Sequence, residues 1–279
     1  MTSRIAARFA ALRAEGRGAL IPFLEAFDPD LATSMAILRG MPAAGADLIE
    51  IGMPFTDPMA DGPTIQAAGR RGLNAGATLH GTLQMVRDFR VDDAQTPVIL
   101  MGYLNPVLAY GVAKFCEDAA LAGVDGLIVV DLPSEEADLL LPDAAAHGLD
   151  IIRLVAPTTS DARLRTVLAG SSGFVYYVSI TGITGTRTAS VDELQAAIPR
   201  IRAVTDLPIA VGFGVRSPEQ AAAAVRAADG AVVASALIDT LAKDLVDGHA
   251  QPGTADKILD QIRALARSVR AARGESIAA

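Results

Sequence analysis

The chain has little of what many catalytic strategies require. Of its 279 residues only three are lysine, three histidine and one cysteine. A Schiff-base mechanism needs an amine in the site, yet Lys114, Lys243 and Lys257 all fall in helical patterns, away from the ends of the apolar runs. His80, His147 and His249 show no metal-ligand spacing, which argues against histidine-held metal chemistry. Magnesium held by Glu50, Asp57 and Asp61 stays open, without positive support. Cys116 has no cysteine to pair with and no nearby histidine, so it reads as core in a reducing, cytoplasmic setting. No uncharged apolar run reaches the ~18–20 residues of a membrane span. The formal net charge is −8 and no dense Lys/Arg tract occurs, so neither nucleic acid nor an acidic membrane surface is expected as a partner.

What is present is a repeat. Short Val/Ile/Leu runs at 19–24, 47–51, 98–101, 126–130, 151–155, 174–179, 209–212 and 231–234 alternate with amphipathic stretches at 31–44, 64–89, 112–122, 135–146, 161–169, 191–204, 218–227 and 237 to about 270. Most runs are continuous rather than alternating, as parallel strands covered on both faces require. Eight such units in ~250 residues predict an α/β fold, a single-domain (β/α)8 TIM barrel over about 18–270. A doubly wound sheet is the other arrangement, but the glycine fingerprint after its first strand is missing. Ile5, Phe9 and Leu12 share one helical face, predicting an extra N-terminal helix over about 2–15 packed beneath the barrel; an arginine-rich transit peptide is the competing reading. A disordered tail is expected over 271–279.

In such a barrel, chemistry lies at the C-terminal ends of the strands. Glu50 sits inside the second run and near its end, while Asp57 and Asp61 follow in the loop. Burial should raise the Glu50 pKa toward a value useful for proton transfer, while Asp61, in a polar loop, stays ionised. Two carboxylates in contrasting surroundings divide acid and base roles. The competing reading is a Glu50–arginine pair with helix-capping loop acids. Glycine-bearing loops at 180–186 and 212–215, and Ser235 ahead of a helix, are placed where barrels bind phosphate. The residues alone therefore point to a phosphorylated small molecule handled by carboxylates.

The stretch Ile49-Glu50-Ile51-Gly52-Met53-Pro54-Phe55-Thr56-Asp57-Pro58-Met59-Ala60-Asp61-Gly62-Pro63-Thr64-Ile65-Gln66 resembles the signature of the tryptophan synthase α-subunit family. Ile21-Pro22-Phe23, Leu100–Pro106, Asp131-Leu132-Pro133, the Thr181–Thr186 loop and Gly212-Phe213-Gly214 resemble that family in the same order, from about Ile5 to about Arg270. The resemblance implies retro-aldol cleavage of indole-3-glycerol phosphate to indole and glyceraldehyde 3-phosphate. Glu50 would be the acid–base group and Asp61 the partner of the indole N–H. Phe23, Met101, Ile128 and Tyr176 would line the indole pocket. Gly185, Gly212, Phe213, Gly214, Ala234 and Ser235 would hold phosphate, and Thr184 would meet Asp61 when a lid over 180–190 closes. Pro54, Asp57, Tyr103 and Asn105 would face a β subunit in an α2β2 heterotetramer. That partner, not this chain, would carry pyridoxal phosphate and receive the indole, and no metal is implied. A stand-alone indole-releasing lyase, an idle regulatory barrel and an unrelated phosphate-binding isomerase are the other readings.

Two departures stand out. Glu25-Ala26-Phe27 replaces the family's usual Thr-Ala-Gly. Glu25 is expected in water in a repacked exposed loop, the sharper alternative being that it perturbs Glu50; Phe27 replaces a residue free to take positive φ. Ala234 replaces a usual glycine, at a cost of about 1 kcal/mol if φ there is positive.

Overall fold

The computed structural model describes residues 3–178, 191–212 and 214–273. Its strands are β1 (Ala19–Glu25), β2 (Ile49–Gly52), β3 (Val98–Gly102), β4 (Gly126–Val129), β5 (Asp150–Ile151), β6 (Arg153–Val155), β7 (Val175–Val178), β8 (Ile209–Gly212) and β9 (Gly230–Val233). All pair in parallel, in the order β5-β4-β3-β2-β1-β9-β8-β7-β6. Only Ile152 separates β5 from β6, and its N–H donates to the Leu127 carbonyl at 3.0 Å. The fifth predicted run therefore serves both neighbours in turn, β4 with its first half and β7 with its second. Eight strand positions close into the expected α/β barrel.

Two apolar layers follow from the two faces of each strand. One face packs against surrounding helices; the other fills the interior with Ile21, Leu48, Ile99, Ile128, Ile152, Phe174, Ala210 and Val232. Helix α1 (Arg4–Ala14) joins the inner layer through Ile5, Phe9 and Leu12. Its N-terminus is capped by Ser3, whose Oγ accepts the Ala6 N–H at 3.2 Å.

The helices between strands begin with α2 (Leu31–Ala44). The long helix expected over 64–89 is two, α3 (Pro63–Asn74) and α4 (Leu79–Arg90). Gly76 takes φ +90° between them, and the Thr78 hydroxyl caps the second by accepting the Gly81 N–H at 3.0 Å. Helix α5 (Leu104–Tyr110) precedes α6 (Val112–Ala122), and a 3₁₀ turn over Ser134–Leu139 precedes α7 (Leu141–Ala146). Helices α8 (Asp161–Leu168), α9 (Val191–Arg202) and α10 (Pro218–Ala227) follow. The last amphipathic stretch also divides, into α11 (Ser235–Asp244) and α12 (Thr254–Ala271). The strand C-terminal ends thus gather at one rim, with α3 and α11 beside it.

Candidate active site

A cavity of about 560 Å³ opens at that rim, lined by Phe23, Glu50, Asp61, Ile65, Met101 and Tyr176 together with Gly214, Val215, Arg216, Val232, Ala234 and Ser235. Glu50 lies in mid-strand, in register with Phe23 on β1 and Ile99 on β3, and is 1 % exposed. Its Oε2 has no hydrogen-bond partner among the described residues. No arginine pairs with it among the described residues. Burial, reinforced by the charge of Asp61, pushes the Glu50 pKa up to about 8, so the group holds a proton at neutral pH.

Asp61 is fixed by its loop. The Tyr103 hydroxyl donates to Asp61 Oδ2 at 3.0 Å and accepts the Ala60 N–H at 3.0 Å, while the Gln66 amide donates to the Asp61 carbonyl at 2.8 Å. Burial raises the Asp61 pKa to about 6 and the Tyr103 bond opposes the rise. At neutral pH Asp61 is largely ionised. The two carboxyl groups of one cavity therefore stand in opposite protonation states, the division expected of an acid–base pair.

Tyr103 was expected on a partner-facing surface. It is 3 % exposed and occupied with the Asp61 loop, because the Tyr103 ring folds inward against Phe55, centroids 5.4 Å apart. Asp57 and Asn105 are exposed and Pro54 is half-buried. Tyr176 on β7 reaches the cavity because Gly212 on β8 makes room; a Cβ at Gly212 would collide with the Tyr176 ring. Phe23 and Met101 line the wall, whereas Ile128 is fully buried in the interior layer below it and is not a lining residue.

At the anticipated phosphate end, Gly214 takes φ +86° and Ser235 opens α11. Ala234 has φ −116°, so the strain expected from a left-handed backbone does not arise. Gly185, Phe213 and Thr184, with the lid segment and the residues beyond 273, lie outside the described residues. Arg216 supplies a cation to this wall that the sequence reading missed; it is ion-paired to Asp239, whose Oδ1 also accepts the Thr64 hydroxyl at 3.1 Å. Its signal was a basic residue two positions after Gly214.

The departure after strand β1 is also corrected. Glu25 is not in water: it is the last residue of β1, paired with Gly52, and 4 % exposed. The strand runs one residue further than its apolar run, carrying the carboxyl into the rim. Phe27 nevertheless adopts φ +63°, the left-handed region open to the glycine it replaces. Among the described residues no group of three or more His, Cys, Asp or Glu could hold a metal ion, and no helix is long and apolar enough to cross a membrane.

Fold and site together define a (β/α)8 barrel with a carboxyl pair of divided protonation at the strand C-terminal rim. The chain belongs to the tryptophan synthase alpha chain family, whose sequence pattern matches residues 9–270. It is 69% identical over 271 residues to the tryptophan synthase alpha chain of Granulibacter bethesdensis, covering 97% of this chain and 98% of that one. It is 70% identical over 272 residues to that of Gluconacetobacter diazotrophicus, covering 97% and 99%. Among solved structures it resembles tryptophan synthase subunit alpha from Legionella pneumophila, with a TM-score of 0.88, 37% identity and coverage of 96% and 99%. A Mycobacterium tuberculosis tryptophan synthase structure follows with a TM-score of 0.87, 38% identity and coverage of 97% and 99%.

Proposed function

We propose that this chain, as one domain, cleaves indole-3-glycerol phosphate to indole and glyceraldehyde 3-phosphate in tryptophan biosynthesis. The observation that carries the reading is the buried Glu50 carboxyl, protonated and with an unpartnered oxygen, sharing a cavity with ionised Asp61. Glu50 delivers its proton to indole C3, and positive charge develops on the ring. Asp61 accepts the ring N–H and stabilises that charge in a site where burial strengthens it. The Glu50 carboxylate then takes the proton of the glycerol hydroxyl next to the ring, and the C–C bond breaks to give the aldehyde. The bonding electrons return to the ring, and Glu50 ends with the proton it started with. Neither a Schiff base, a metal nor another cofactor enters these steps.

Phe23, Met101 and Tyr176 enclose the indole. Gly214, Ala234 and Ser235 receive the phosphate with the α11 N-terminus, together with Gly185, Gly212 and Phe213, and closure of a lid bearing Thr184 excludes water. The chain works in the cytoplasm against a β subunit that carries pyridoxal phosphate, in an α2β2 assembly, docking through the exposed surface around Asp57 and Asn105. The test is indole release from indole-3-glycerol phosphate, by this chain alone and with a β subunit added. Slow release that rises steeply with the β subunit is expected. Fast partner-free release overturns the subunit reading, and absence of release in both arms overturns the lyase reading.

A further inference from the structure

Arg216 is the one cation among the described residues that line the catalytic cavity, whose other charged groups there are Glu50 and Asp61. Both ends of the residue are held. Its N–H donates to Gln220 Oε1 at 2.7 Å, and the same oxygen accepts the Ser217 N–H at 3.1 Å where Ser217 caps α10. Its guanidinium pairs through Nη2 with Asp239 Oδ2 on α11. The other Asp239 oxygen accepts the Thr64 hydroxyl on α3 at 3.1 Å. Three helices therefore fix one cation at the cavity wall, and with 41 % of its side chain exposed a solute can still reach it.

The anchor decides where that cation lies. Ser235 and Asp239 are four residues apart on α11, so they share one helix face, with Asp239 one turn in from the helix start. That start is open: Ala234 makes no side-chain cap and no acid stands in the first turn. Its unpaired N–H groups and the positive end of the helix dipole favour an anion. A guanidinium has five N–H donors, and among the described residues Asp239 is its one acceptor, through a single nitrogen. Nε and Nη1 are left to bind a second oxyanion. A phosphate monoester entering a cavity that holds the ionised Asp61 is repelled unless a cation compensates it, and a guanidinium fork suits phosphate oxygens. Arg216 is the cation that the described lining offers.

We propose that Arg216 is a specificity-determining residue of the lyase site, the free edge of its guanidinium donating to the substrate phosphate and setting the phosphorylated compound above its phosphate-free counterpart. The inference rests on the lyase reading above and adds a side-chain cation to the glycine and helix groups named there. The test measures kcat/KM for indole-3-glycerol phosphate and for phosphate-free indole-3-glycerol, with a β subunit present, in the wild type, Arg216→Met and Asp239→Asn. Arg216→Met keeps the bulk and removes the charge. The ratio of its two kcat/KM values should fall by about 10- to 100-fold, as loss of a hydrogen bond from a charged donor implies, and through KM for the phosphate substrate rather than kcat. Asp239→Asn keeps the guanidinium and should lose far less. An unchanged ratio in Arg216→Met makes the ion pair a surface brace and overturns the proposal. So does an equal fall in both variants, which a purely structural pair would give. Arg216→Gln serves if Arg216→Met does not fold. Calorimetric titration of the same proteins with glycerol 3-phosphate needs no turnover, and Arg216→Met should bind it about 10- to 100-fold more weakly than the wild type. That weakening without any indole release from the wild type would sink the lyase reading alone. Normal release with an unmoved glycerol 3-phosphate affinity would sink the Arg216 proposal alone.

Discussion

The two ends of the barrel bury the same kind of group and treat it in opposite ways. At the floor, Asp47 and Asp125 are 2 % and 5 % exposed. Asp47 is gripped by Arg8 and Arg17 and accepts the Leu20 N–H at 2.9 Å. Asp125 is gripped by Arg4 and Arg90 and accepts the Val98 N–H at 2.8 Å. Each follows a glycine-capped helix and ties the start of one strand to the start of the next. At the mouth, Glu50 and Glu25 are buried as deeply, and among the described residues neither has an arginine of its own. Floor carboxylates have their charges compensated and hold the fold. Mouth carboxyls are uncompensated, so burial is expressed as proton affinity, which is what acid–base chemistry uses.

Removing the mouth acid should have the largest effect. Glu50→Gln is expected to lower kcat by about 10²–10⁴ while KM changes little, read by steady-state indole release. Next, Asp125→Ala at the floor leaves the largely buried Arg90 without its carboxylate and should cost about 3 kcal/mol, measured by urea unfolding, while turnover per folded molecule is unchanged. A floor variant that lost chemistry but not stability would erase the distinction. Tyr103→Phe removes a hydrogen bond to a charged acceptor, so the acid limb of kcat/KM should rise by about one pH unit. The smallest effect is thermal. The folded-state pKa of Glu25 lies above its unfolded value, so stability from this group is full below the ordinary glutamate range and declines as pH rises toward the folded value. Glu25→Gln should therefore raise Tm more at pH 8 than at pH 5, and an equal gain at both would place Glu25 among the compensated groups.

The barrel was legible because each strand is a continuous apolar run and each helix keeps a 3.6-residue period. Where the period continued across a break, as at Gly76 and Thr78, the two helices read as one; the capping threonine was the overlooked signal. Glu50 and Asp61 were legible because both lie in one contiguous stretch. Glu25 was not, since a carboxylate ending an apolar run reads as the first loop residue, and only the pairing with Gly52 shows that the strand continues. Tyr103 and Ile128 lie deeper than expected for a related reason. Sequence order places a residue on an element, but the depth to which its side chain sinks depends on neighbours contributed by other elements, Phe55 and the Asp61 loop in one case and the interior layer in the other.

Helix α1 carries a consequence for traffic. With Ile5, Phe9 and Leu12 sunk into the interior layer, and the Phe9 ring 5.7 Å from that of Phe174, the barrel is a stoppered cup rather than a tube. Whatever enters the cavity and whatever is released there must pass the same rim. A recipient of the released molecule can intercept it only by sitting over that rim.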